Sequence, residues 1–262
     1  MRKVLMFLFA GAVSLASAQD GLYGSFLVGQ KFIDFNEMNA QIASKLTDYQ
    51  IPPELFPSNH WTFGGEGHLI LAKRLVLGGK AFGIMYEKTL VPVSSTPEFE
   101  RRIRMTGAMG VGTVGFNLLG ENRFGMHLYP QLGLGASSFV YQSKRKHLDE
   151  AENEANKQFD VVLVETQDYM ETLAKFGLIV DLAAGFDWYK PFKQFFTIVP
   201  GLDFGLLFHA EVGYLLLPGG ANLKWRRDFD LKGKDQVEGG PDLKFDGFYF
   251  NIGFGIGLTA ES

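Results

Sequence analysis

The segment from Gly247 to Thr259 constrains the fold most. Phe248, Phe250, Ile252, Phe254, Ile256 and Leu258 alternate without interruption with Gly247, Tyr249, Asn251, Gly253, Gly255 and Gly257. A period of two puts these sets on opposite faces of a strand. One face is oily, with three Phe, and the other is mostly bare Gly. Such a strand is unusual for a water-soluble sheet, but it suits a wall between hydrocarbon and a crowded lumen.

The same alternation recurs upstream. Phe124, Met126, Leu128, Leu132, Leu134 and Val140 oppose Gly125, His127, Tyr129, Gln131, Gly133, Gly135 and Ser137. Ala174, Phe176, Leu178, Val180, Leu182, Phe186 and Trp188 oppose Lys175, Gly177, Asp181, Gly185 and Asp187, and Leu202, Phe204, Leu206, Phe208 and Val212 oppose Asp203, Gly205, His209, Glu211 and Gly213. Eight long strands are predicted: Leu22 to Phe35, Trp61 to Ala72, Leu75 to Lys88, Arg101 to Leu119, Phe124 to Tyr141, Tyr169 to Tyr189, Phe196 to Leu215 and Gly247 to Thr259. Short connections centre on Lys73-Arg74, Gly120 to Arg123 and Lys190 to Lys193. They alternate with long ones over Asn36 to His60, Thr89 to Glu100, Gln142 to Asp168 and Leu216 to Asp246. This rhythm gives the expected fold class: all-β, an eight-stranded antiparallel up-and-down transmembrane β-barrel with short periplasmic turns and long extracellular loops.

The first half of the chain is less regular. In the second strand Trp61, Phe63, Leu69 and Leu71 face away from Thr62, Gly64, Glu66 and His68. The third is ambiguous, because Lys80 shares parity with Val76, Phe82, Ile84 and Tyr86. In the fourth, the apolar face shifts from Ile103, Met105, Met109 and Val111 to Val114, Phe116 and Leu118, so a β-bulge is expected near Gly110 or Gly112. Pro130 lacks an N–H for the ladder and is expected to mark a bulge or local break. Aromatics near strand ends read as interface belts, with Trp61, Phe63, Tyr86, Phe139, Tyr141, Tyr249 and Phe250 outside and Tyr23, Phe124, Trp188, Tyr189, Phe195 and Phe196 on the periplasmic side. In the loops, helical spacing is expected within Asn36 to Gln50 and Ser143 to Lys157, strand extension at Val161 to Val164, and mobility over Lys224 to Gly240.

At the amino end Arg2 and Lys3 precede an apolar run from Val4 to Val13, and Ala16-Ser17-Ala18 fits a small-residue cleavage site. Residues 1–18 read as a cleaved signal peptide and 19–262 as one barrel domain, placing the protein in the cell outer membrane. The apolar run is too short for a membrane helix, which needs roughly 20 residues. With no cysteine, neither a lipidated thiol nor a disulfide contributes. A net charge of −4 gives no reason to invoke nucleic acid.

The inferred lumen face collects Glu66, His68, Lys80, His127, Gln131, Lys175, Asp181, Asp203, His209 and Glu211, and Arg102 and Arg104 add cations to the fourth strand. His and carboxylate groups of this kind serve acid–base catalysis or metal binding, but in a narrow barrel they also serve as a packed ion-pair network. A packed ion-pair network is expected, with no catalytic residue, cofactor or metal. No Gly-x-Ser-x-Gly, His-Glu-x-x-His or phosphate-binding loop is present, and Gly107 to Gly115 alternates like a strand instead of opening a helix. Lys144-Arg145-Lys146-His147 would meet anionic headgroups at the outer rim, although Asp149, Glu150, Glu152 and Glu154 follow and suit a solvated helix.

The signal segment Met1 to Ala18, the alternating strands Phe124 to Tyr141, Tyr169 to Tyr189 and Leu202 to Tyr214, and the terminal Phe248 to Leu258 together resemble small Gram-negative outer-membrane β-barrels, the OmpA/OmpX-like kind and its stand-alone Bacteroidota-type members. The resemblance is one of pattern over the whole mature chain. Family members often end in an aromatic residue read by the barrel-assembly machinery, whereas this chain ends Thr259-Ala260-Glu261-Ser262. The resemblance implies outer-membrane lipid and lipopolysaccharide as surroundings and the assembly machinery as a partner during insertion. The expected role is structural, adhesive or binding, or modest porin-like passage favoured by the inner-wall glycines. Two other readings are an outer-membrane lipid-modifying enzyme using His209, Glu211 or His68, and a soluble lipocalin-like barrel, which would need an apolar lumen and a polar outside.

Overall fold

The computed structural model describes residues 19–47, 49–91, 93, 99–120, 125–147, 172–192, 202–218, 225–227, 236–237 and 246–260. The wall strands are β1 (Gln19–Phe32), β2 (Asn59–Leu71), β3 (Leu75–Leu90), β4 (Phe99–Phe116), β5 (Met126–His147), β6 (Thr172–Pro191), β7 (Leu202–Leu216) and β10 (Gly247–Ala260). A helix, α1 (Asn36–Lys45), follows β1, and two short strands, β8 (Trp225–Arg227) and β9 (Gln236–Val237), lie between β7 and β10. Each wall strand pairs antiparallel with two neighbours, and the β1–β10 ladder joins the two ends of the chain. The sheet therefore closes on itself and leaves no wall edge.

The terminal alternation lands as expected. β10 runs against β1 from Leu22↔Leu258 to Lys31↔Tyr249 without a register shift. Phe248, Phe250, Phe254 and Ile256 point outward, and Tyr249, Asn251 and Gly253 point in. The outside of the wall also exposes Phe26, Trp61, Phe63, Leu132, Leu134, Leu178, Leu206 and Val212. A closed wall with this outside belongs in a bilayer, where all backbone polar groups are satisfied between strands.

Three expectations are corrected and one ambiguity is resolved. The fourth strand has no bulge: its ladders to β3 and β5 run in continuous register, with Ile103, Met105, Met109 and Val111 all facing the lumen and Val114 and Phe116 facing out. The sequence shift marks a change in what each face touches, because an eight-stranded lumen is a packed interior in which apolar side chains are as much at home as on the lipid side. The ambiguous third strand resolves the same way, with Lys80, Val76, Phe82 and Ile84 inside. Pro130 sits one residue past the last β4–β5 pair, Gly115↔Gln131, and beyond it Leu118 N–H still donates to the Leu128 carbonyl at 2.8 Å, while the β5–β6 ladder passes through Pro130↔Ala184, so it marks no bulge. Of the expected belt residues, Trp61, Phe63, Phe250 and Trp188 are outside, whereas Tyr86, Phe139, Tyr141, Tyr249, Tyr23 and Tyr189 have lumen parity. Period two decides the face, and position along the strand does not. Phe124, Phe195 and Phe196 lie outside the described residues.

The loops differ too. The helix expected after β1 is present as α1. The stretch Ser143 to His147, expected to be helical, extends β5 and pairs with Phe99 to Ile103 of β4, which supplies a partner for each residue. The remainder of that segment, Val161 to Val164 included, lies outside the described residues. Within the stretch expected to be mobile, β8 pairs with β9 and docks on β6 through Leu173↔Arg227 and Ala174↔Arg226.

Glycine serves two different ends in this wall. A Cβ on inward Gly213 would lie 2.4 Å from the Tyr249 hydroxyl, and on inward Gly185 2.5 Å from the Tyr129 ring. Inward Gly257 is bounded by Tyr23 and Tyr189 in the same way. These glycines are the seats of tyrosine rings, and so fill the lumen where the sequence suggested that they thin it. The outward glycines of β3 and β4, among them Gly79, Gly110 and Gly112, carry no such ring, and a Cβ at Gly110 would meet nothing within 4 Å. Gly213→Ala is expected to destabilise the barrel by about 1–3 kcal/mol through overpacking. Gly110→Ala should change stability by well under about 1 kcal/mol. Urea unfolding in lipid vesicles, followed by heat-modifiable gel mobility, separates the two.

Candidate functional site

The lumen is layered along its axis. At the long-loop end, Phe82, Ile84, Met105, Met109, Val111, Phe139 and Tyr141 form an apolar plug. Helix α1 closes it from above. Met38 and Ile42 are four residues apart on one helical face, and Leu46 follows at the same spacing, so all three bury together with Phe35, Leu55 and Phe56. No side chain of the N-cap residue Phe35 bonds into the helix. Instead Asp34 accepts from the Asn36 backbone N–H at 3.0 Å, and Asn39 pins the returning loop reciprocally, donating to the Phe56 carbonyl and accepting from its N–H, both at 2.9 Å.

Below the plug lies a polar middle. Lys80 on β3 donates to Glu211 on β7 and to the Tyr249 hydroxyl at 2.6 Å, and forms an ion pair with Asp181 on β6 at 2.6 Å. Tyr249 in turn donates to Asp181 at 2.8 Å, with Glu211 Oε1 3.1 Å away. Gln131 donates to Glu211 Oε1, Asn251 to Glu211 Oε2 at 3.3 Å, and Thr62 to Asn251 at 3.2 Å. Lys80, Asp181, Glu211 and Asn251 are inaccessible to water or nearly so. Charges buried this deeply persist only when paired and hydrogen-bonded, and here each has several partners.

One layer further toward the short turns, Asp187 on β6 bridges two histidines. His68 Nε2 lies 2.8 Å from Asp187 Oδ2, and His209 Nδ1 lies 2.8 Å from Oδ1. Glu66 Oε1 is 2.9 Å from the same His209 nitrogen, 3.7 Å from His68 Nδ1, and accepts from Ser25 at 3.2 Å. Beneath this layer Tyr23, Tyr129 and Tyr189 floor the lumen with Ile70, Val76 and Leu207. Tyr23 and Tyr129 ring centroids stand 5.2 and 5.4 Å from His68.

Asn117, fully buried at the turn end, ties two hairpins together. Its amide donates to the Lys73 carbonyl at 3.1 Å and the Gly120 carbonyl at 3.2 Å, while its oxygen accepts from the Leu119 and Leu128 N–H groups, both at 3.3 Å. Arg74 donates to the carbonyls of Asn117 and Leu118 at 3.2 and 3.1 Å.

The geometry sorts the residues chosen from sequence. Glu66, His68, Lys80, Gln131, Asp181, His209 and Glu211 lie in the polar middle. His127 stands apart, at the turn end, 3.3 Å from the Tyr23 hydroxyl and 3.2 Å from Asn117. Asp203 lies in the short-turn rim, where its backbone carbonyl accepts from Tyr189 at 2.8 Å. The side chain of Lys175 lies outside the described residues, and Arg102 and Arg104 point outward, Arg102 to Glu87 at 3.3 Å, instead of joining the lumen. Sequence reading missed Asp187, Tyr249, Asn251, Thr62 and Ser25. Asp187 shares parity with Asp181, and Tyr249 and Asn251 sit on the Gly face of the last strand, so the signal was the period itself.

Among the described residues no helix is long and apolar enough to cross a membrane, and the crossing is made by strands. The chain is a closed eight-stranded β-barrel with an apolar outer wall. Neither a family model nor a curated protein matches it. Solved structures with similar strand courses include Ail, the attachment invasion locus protein of Yersinia pestis, at 10% identity over 91% of this chain and 99% of that one, with a TM-score of 0.40. OprG from Pseudomonas aeruginosa is 13% identical over 92% and 95% of the two chains, with a TM-score of 0.35. Neisserial surface protein A is 7% identical over 92% and 97%, with a TM-score of 0.32.

Lys80→Met would leave two buried carboxylates without their shared cation. The expected loss is about 3–5 kcal/mol, with most of it recovered when Asp181→Asn and Glu211→Gln are added, since removing a whole buried charge group costs far less than breaking one. Urea midpoints of the single and triple variants in vesicles measure both.

Proposed function

We propose that this barrel is closed to solutes and works by binding or adhesion at its long-loop end. The observation that carries this reading is the filled lumen: an apolar plug, a polar middle and an aromatic floor whose side chains are mostly buried across the full bore. Porin-like passage would need a continuous wet path through these layers. Export with cleavage after Ala18, and insertion by the barrel-assembly machinery, belong to the same proposal.

The binding end is built on a raised flank. β4, β5 and β6 run 18, 22 and 20 residues, against 14 and 13 in β1 and β2. Each extra residue adds about 3.3 Å, so this side of the wall stands well above the other. On it, Arg101 pairs across strands with Arg145 and Arg102 with Lys144. Basic residues gathered at register positions of one rim raise the local positive potential and favour a bound anion. Anionic headgroups such as those of lipopolysaccharide meet that requirement, with Arg101 also resting on Tyr49 at 5.4 Å. A lipid-modifying activity has weaker support, since His68 and His209 are turned into buried carboxylates and away from the lipid side. The apolar exterior speaks against a soluble carrier.

Planar-bilayer recording of the folded protein is expected to show no steady ion current, and a stable open conductance would overturn the closed-barrel reading. Replacing Arg101, Arg102, Lys144 and Arg145 by Gln should weaken binding to lipopolysaccharide-containing vesicles and flatten its salt dependence. Unchanged binding would remove the basic flank from the account.

A further inference from the structure

We propose that Glu66, Asp187 and His209 form a binding site for one divalent transition-metal ion of the zinc class, inside the lumen. One ligand atom from each of the three lies within 4.8 Å of those of the other two. Both carboxylate oxygens crowd the one imidazole nitrogen, at 2.9 and 2.8 Å.

Proton counting shows why a cation suits this point. An imidazole nitrogen carries at most one hydrogen, so the two carboxylates at 2.8 and 2.9 Å must share it in a three-centre bond that serves each less well than a bond of its own. If the hydrogen sits on Nε2 instead, the Nδ1 lone pair faces two anionic oxygens. That arrangement is repulsive without a positive centre between them. His209 Nε2 has no hydrogen-bond partner among the described residues, although the side chain is fully buried. The ring is therefore oriented for the benefit of Nδ1 alone.

Charge leads to the same place. Lys80 is occupied by Asp181 and Glu211, so among the described residues the cations directly facing Glu66 and Asp187 are the two imidazoles when protonated. One divalent ion matches the two carboxylates with both rings neutral. Imidazole with two carboxylates is a donor set that zinc and its first-row neighbours accept. Metal–ligand bonds of about 2.0–2.2 Å place neighbouring ligands roughly 3 Å apart, so the present spacings need only small adjustment.

An outer layer is already in position. His68 Nε2–H reaches Asp187 Oδ2 and Ser25 donates to Glu66, which fixes both carboxylates from behind, as metal sites require. The ligands come from β2, β6 and β7, so the site exists only in the closed barrel. An ion would enter while the wall closes, or past Glu66, the least buried of the three.

The full mature chain, folded into lipid vesicles with Zn²⁺ or Co²⁺ present and then freed of loose metal, tests this. Close to one ion per chain is expected, with a Co²⁺ visible band absent from unfolded protein. His209→Gln or Glu66→Gln should abolish the stoichiometric ion, and His68→Gln should weaken binding by roughly 10–100-fold. Folded wild type retaining less than about a tenth of an equivalent overturns the proposal, as does full retention in His209→Gln. Should those variants not fold, zinc X-ray absorption of the wild type still decides. One imidazole among oxygen ligands at about 2.0–2.2 Å supports the site, and two or more imidazoles, or an aquo ion, refute it.

Discussion

The bore of an eight-stranded wall governs everything else in this molecule. Eight strands enclose a space just wide enough for side chains, so whatever points inward must interlock or the wall cannot close. The tyrosines and glycines solve this together: Tyr249 fits against Gly213, Tyr129 against Gly185, and Tyr23 with Tyr189 against Gly257. Each ring spans part of the bore from one strand and takes its space from a neighbour that has no side chain. Core packing at this density leaves little room for adjustment, which is why one methyl group at such a seat matters.

The polar middle follows from the same constraint. Once rings and aliphatics fill the two ends, the charges between them are cut off from water and must satisfy each other. Lys80, Asp181, Glu211 and Tyr249 do so by converging from four strands, with no solvent to forgive a misplaced atom. Buried groups of this kind contribute little net stability relative to apolar replacements, but an incomplete set is severely unfavourable. They therefore specify one register and one closure.

The sequence made the wall legible and the lumen only partly so. Phe248 to Leu258 could be read because lipid demands an apolar residue at every second position and the Gly face left no ambiguity. Ile103 to Val111 could not, because an apolar side chain looks the same whether it meets lipid or the plug beneath α1. The expected bulge arose from that degeneracy. His209 and Glu211 stood out as polar residues on an alternating strand, whereas Asp187 gains its importance from His209 on the next strand and from His68, 119 positions away. Spacing along the chain carries no trace of such a meeting.

That separation bears on how the molecule comes to be. Lys80 touches Tyr249 across 169 positions, and His68 touches Asp187 across 119. No hairpin formed early contains either contact, and the loop-closure entropy falls on the final steps of assembly. The interior thus stays unfinished until the last strand finds the first. Tyr249 on β10 reaches Lys80 on β3 only in the finished bore, so that contact is made when the cylinder shuts.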